Sequence, residues 1–77
     1  MFCNNFRYHF NMGFQHRLKE LRLEKGVSQL EIAKVLNMSK MAISHWESGH
    51  SEPSIEQLIL LARYFNVSVD YLVGFSD

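Results

Sequence analysis

With 77 residues, eight basic and eight acidic side chains and no net charge, the chain is one small domain with little room for a catalytic cleft. Its one cysteine, Cys3, excludes an internal disulfide framework and points to a reducing, cytoplasmic setting. No apolar run approaches the roughly 20 residues of a membrane span, and the N-terminus does not read as a secretory leader. The charges are unevenly divided. Residues 1–51 hold seven basic and four acidic side chains, and residues 52–77 hold one and four, so the positive part suits an anionic partner.

Residues 1–13 form an N-terminal arm. Phe6, Tyr8, Phe10 and Met12 alternate with Arg7, His9 and Asn11, the period of a half-buried strand. Two other readings of the arm stay open: a disordered tail, and translation upstream of a start at Met12. From Phe14 the period turns helical, with Phe14, Leu18 and Leu21 on one face. Lys25-Gly26 stops that helix with a cation in the last turn and a glycine suited to a left-handed cap.

Ser28 to Glu31 is a capping box that opens a second helix with Ile32, Ala33 and Leu36 inward, and Asn37 ends it. Ser39 caps a third helix anchored by Ile43 and Trp46, and Gly49 closes it. Ser54 to Gln57 is a second capping box, opening a fourth helix whose stripe is Ile55, Leu58, Leu61, Ala62 and Phe65. Ser68 caps a short last helix with Tyr71 and Leu72, and Gly74 ends it. No internal repeat is evident. The reading is all-α: a compact five-helix bundle over residues 14–77, preceded by the arm at 1–13 as a candidate strand.

The segment Ser28 to Gly49, SQLEIAKVLNMSKMAISHWESG, carries the functional signal. A short helix, a tight turn and a second helix need a small residue where the helices cross and a left-handed residue in the turn. Ala33 and Asn37 meet those needs. Ile43 and Trp46 fasten the second helix, which leaves Ser39, Lys40, Met41, Ser44 and His45 outward. A helix so presented fits the major groove of B-DNA, about 12 Å wide.

Several motifs then agree in order: Leu18-Lys19-Glu20-Leu21-Arg22, Gly26-Val27-Ser28-Gln29, Ala33, Ile43-Ser44, Trp46-Glu47-Ser48-Gly49, Pro53 and Tyr71-Leu72-Val73-Gly74. Over Phe14 to Asp77 the chain resembles the Cro/repressor, or xenobiotic-response-element, family of helix-turn-helix proteins, with a lambda-repressor-like fold. The resemblance implies sequence-specific binding of double-stranded DNA by a homodimeric transcriptional regulator, a repressor, on a palindromic operator. It implies base-facing roles for Lys40, Met41, Ser44 and His45, and phosphate-facing roles for Gln29, Ser39, Ser48 and His50. Arg22 and Glu47 resemble a charge pair tying the first helix to the third. Asn37 stands where many relatives have glycine, and Met41 cannot hydrogen-bond a base.

Dimerisation has two candidate surfaces. One is the apolar set Leu60, Tyr64 and Phe75, and the other is the arm, since a lone strand needs a partner. An antitoxin that neutralises a toxin protein and represses its own operon is the alternative function. An enzyme is not expected: no paired carboxylates, phosphate loop or nucleophile–base pair is present. His9, His16, His45 and His50 lack metal-ligand spacing, so no metal or cofactor is expected. Nor is a ligand-sensing domain expected beyond Asp77.

Overall fold

The computed structural model describes the backbone of residues 2–74 and the side chains of residues 13–74. Five helices succeed one another: α1 (Phe2–Lys25), α2 (Gln29–Leu36), α3 (Lys40–Ser48), α4 (Ile55–Phe65) and α5 (Val69–Val73). No strand occurs among the described residues. The boundaries arise from side-chain chemistry. Ser28, Ser39, Ser54 and Ser68 sit in extended backbone before α2 to α5, and each hydroxyl accepts the amide three residues on. Glu31 and Gln57 return the bond to the cap amide, so both capping boxes close. These contacts satisfy donors that a bare helix start would leave without a partner.

The turns from α2 to α3 and from α4 to α5 are the same turn. Asn37 (φ 57°, ψ 49°) and Asn66 (φ 58°, ψ 47°) end their helices left-handed. The next amide, of Met38 or Val67, donates to the carbonyl of Ala33 or Ala62. Asparagine tolerates this conformation because its short polar side chain bonds locally.

The core collects one face from every helix. Leu18, Ile32, Ala33, Ile43, Leu61 and Leu72 have no exposed surface. Phe14 meets Trp46 edge to face at 6.2 Å between centroids, joining α1 to α3. At the other side of α1, Arg17 lies over the Tyr71 ring and Lys25 over Tyr64. These contacts hold α5 and α4 while leaving each cationic head near water.

Two expectations are corrected. Residues 2–12 are not a strand; their backbone continues α1. A lone strand leaves its backbone groups unpaired, whereas a helix pairs them within the segment. The sequence also carries Phe2, Phe6 and Phe10 four apart, so a short alternating run fitted either period. Gly13, whose place at the end of the alternating run reads as a stop in the sequence, lies within α1 and ends nothing. It lies where α1 crosses the end of α5, and a Cβ there would stand 2.8 Å from the Val73 carbonyl oxygen and 2.9 Å from Gly74 Cα. The second correction is Ile55, placed in the buried stripe by its spacing but 72% exposed. It is the first residue of α4, one turn before Leu58 brings the helix onto the core. Leu58, Leu61 and Ala62 are buried, and Phe65 is packed half-buried against them.

Candidate nucleic-acid interface

The helix-turn-helix unit presents α3 on a rigid mount. Ile43 and Trp46 on one face are buried. Met41, Ser44, His45 and Ser48 fall at spacings of three, four and seven on the opposite face, with Lys40 on its flank. Met41, His45 and Lys40 are exposed and Ser44 is half-buried. The nine residues of α3 span roughly 13 Å, enough for one edge of a groove.

The mount is electrostatic as well as apolar. Arg22 on α1 donates from Nε to Glu47 Oε2 at 2.7 Å and from a terminal nitrogen to Oε1 at 3.2 Å. Its other terminal nitrogen donates to the Val27 carbonyl at 3.1 Å. One guanidinium thus ties α1, the α1–α2 loop and the end of α3. The side chains are 13% and 7% exposed, so neither charge has much water to fall back on.

Glu47 holds a second partner that sequence reasoning missed. Gln29 Nε2 donates to Glu47 Oε1 at 3.1 Å. That bond brings the start of α2 to the last turn of α3 and fixes the Gln29 amide. The amide has a second N–H left for another acceptor. A glutamine one residue into a capped helix gave no sequence signal of this bond, because the pairing spans the turn.

The polar residues at that end of α3 also bind one another. Ser48 Oγ donates to the His45 carbonyl at 3.2 Å and lies 3.1 Å from His50 Nδ1. Nε2 of His50 takes no part in that contact and is left for solvent. The rings of His45 and His50 stack at 5.4 Å. Gln29, His45, Ser48 and His50 therefore gather at the C-terminal end of α3. Ser39, whose hydroxyl accepts the Ala42 amide, stands with Lys40 at the other end.

Of the seven basic residues in the first 51, Arg22 is committed to Glu47, while Arg17 and Lys25 lie over tyrosines. Lys34 and Lys40 are exposed on α2 and α3. Leu60 is exposed on α4, but Tyr64 is half-buried against Phe65 and beneath Lys25; Phe75 lies outside the described residues. Among those residues, no three histidine, cysteine or acidic side chains stand close enough to hold a metal ion. Nor is any helix long and apolar enough to cross a membrane.

A two-helix unit with a buried inner face, a polar outer face and a charge-locked end defines the helix-turn-helix class. A helix-turn-helix family model matches residues 18–72, and the chain belongs to that family, in its Cro/repressor branch. This is a family of transcription regulators, not of enzymes. The chain is 39% identical over 63 residues to the transcriptional activator BcrR of Enterococcus faecalis, covering 82% of this chain and 31% of that protein. To the transcriptional regulator ImmR of Bacillus subtilis it is 38% identical, covering 82% of this chain and 50% of the relative. A solved transcriptional regulator from Listeria innocua superposes with a TM-score of 0.79 at 39% identity, covering 83% of this chain and 60% of that one. The chain thus spans 31% of one of these two curated relatives and 50% of the other.

Proposed function

We propose that the chain is a sequence-specific double-stranded DNA-binding transcriptional regulator of the cytoplasm that lays α3 in the major groove and reads a palindromic operator as a homodimer. The observation that carries this reading is the two-faced α3, with Ile43, Trp46 and Glu47 held by the body and Lys40, Met41, Ser44 and His45 turned outward. Lys40 donates to guanine O6 and N7, Met41 packs on a thymine methyl, and Ser44 and His45 reach the next base edges. Gln29, Ser48 and His50 at one end of the helix and Ser39 at the other bind phosphates and fix register without reading sequence.

Repression by occupancy needs nothing more than this domain, since a bound operator excludes polymerase. Most of the phosphate ligands are neutral amides and hydroxyls rather than cations. The salt dependence of binding is therefore shallow, because only cationic contacts release counterions in number.

Selection of binding sites from random duplex DNA tests the reading. The expected product is a two-fold sequence with half-sites about 34 Å apart. Failure to enrich any sequence overturns it. Placing the selected operator inside a reporter promoter then measures the sign of regulation.

A further inference from the structure

Beside the end of α3 lies an apolar cavity of about 300 Å³. Its floor is Phe14, Trp46, Leu58 and Val73, all buried side chains of the core. Pro53 walls it, and Ile55 stands at its mouth, 72% exposed. Ile59, one turn further along α4 on the same face, is 42% exposed. A hole and an uncovered apolar knob therefore share one small patch.

We propose that this patch is the contact between two copies of the chain, each Ile55 entering the mouth of the other's cavity. The inference rests on the two-fold DNA-binding reading and says which surface carries it. A closed two-fold contact must be self-complementary, so that a knob and its hole lie in one patch of one subunit. Ile55 and the cavity satisfy this, whereas Leu60 on α4 stands beside the half-buried Tyr64 and does not line that cavity.

Position argues the same way. Gly49 and Ser51 to Ser54, directly after α3, line the cavity. A copy seated there adjoins the end of the recognition helix, which keeps both such helices on one side of the pair, as a single face of DNA requires. The patch is small against the roughly 800 Å² per partner of a standard interface. The free dimer is accordingly weak, and DNA bearing two half-sites tightens it.

The test is sedimentation of the whole chain at tens to hundreds of micromolar, alone and with a selected operator duplex. Wild type is compared with Ile55→Asp and with Leu60→Asp. Aspartate at the first position of α4 faces the positive end of the helix dipole and leaves folding intact. Thermal melting checks this, and Ile55→Lys serves as the second variant. Ile55→Asp and Ile55→Lys should weaken self-association roughly a hundredfold, since two apolar side chains leave the contact at once, and Leu60→Asp should leave it unchanged.

Equal loss in all three variants, loss in Leu60→Asp alone, or loss in none overturns the patch while the two-fold reading stands; in the last case another segment covers the cavity. A wild type that remains monomeric when free and binds one copy per palindromic duplex overturns the two-fold reading and the patch together.

Discussion

Residues 33–39 and 62–68 make a controlled comparison inside one molecule. Ala33-Lys34-Val35-Leu36-Asn37-Met38-Ser39 and Ala62-Arg63-Tyr64-Phe65-Asn66-Val67-Ser68 share alanine, a cation, asparagine and serine at matched places. They fold into one turn, with both asparagines left-handed and both serines capping. The helices after the two turns differ. The first turn leads to the nine residues of α3, with Lys40, Met41 and His45 exposed. The second leads to the five residues of α5, where Leu72 and Val73 are buried. The turn therefore sets only the angle between two helices. Whether the second helix can meet DNA depends on which side chains it turns outward and how long it is.

The largest effects should come from the anchors that the two units have in common. Ile43 and Leu72 stand four residues after their capping serines, and neither has exposed surface. Either alanine variant leaves a cavity and should cost about 3 kcal/mol. If both losses are of that size in denaturant melts, the second unit carries as much of the fold as the first. A loss under about 1 kcal/mol at Leu72 would make α5 an appendage rather than part of the core.

The first unit has a charge lock, and breaking it sharpens the comparison. Glu47→Ala strands a mostly buried Arg22 and releases Gln29 together. The cost should be about 3 kcal/mol, a large share of a small domain's stability. A melting midpoint within a degree or two of wild type would mean that the pair contributes nothing in solution. Glu47→Gln keeps an acceptor for Gln29 and should lose less. DNA affinity should fall in the same order, since a freed Gln29 must be ordered again on binding.

The turns themselves should answer alike. Asn37→Ala and Asn66→Ala keep the left-handed β-carbon but lose the short polar side chain that makes the conformation tolerable, at about 1 kcal/mol each, while the glycine variants are near neutral. Unequal losses at the two asparagines, by chemical denaturation, would break the equivalence of the turns.

The sequence made much of this legible because the helix ends are marked by local chemistry. Serine caps, capping boxes, Asn37, Gly49 and Gly74 act over three or four residues, so they stand out directly along the chain. The buried faces of α2 and α3 were equally plain from spacing. The errors fell where tertiary contact decides. Gly13 looks like a breaker but serves a close helix crossing, and the alternation at 6–12 had no partner strand to make it a strand. Ile55 fits the period of α4, yet it lies too near the helix start to be covered. The doubled turn passed unseen because it spans only seven residues and the flanking helices diverge. The Gln29–Glu47 bond joins distant positions, and no local pattern encodes it.

The smallest effect on stability should come from Lys40, and it separates the two units most sharply. Lys40 and Val69 each come directly after a capping serine. Val69 is packed half-buried against the core, whereas Lys40 is exposed and makes no hydrogen bond or ion pair among the described residues. Lys40→Ala should therefore leave the melt within about 0.5 kcal/mol of wild type. Its effect should appear on DNA: a loss of about 1–3 kcal/mol for the selected operator, with relaxed preference at one base position of each half-site. Gln29→Ala should instead weaken operator and scrambled duplex alike, because a phosphate contact carries no sequence information. Val69→Ala should lower stability and leave operator preference unchanged at temperatures where the variant is folded. Titration of the three variants against both duplexes at two salt concentrations decides the matter. An unchanged operator preference in Lys40→Ala would remove it from the reading set and leave Met41, Ser44 and His45 to carry specificity, whereas a change in Val69→Ala would mean that the second unit also touches DNA.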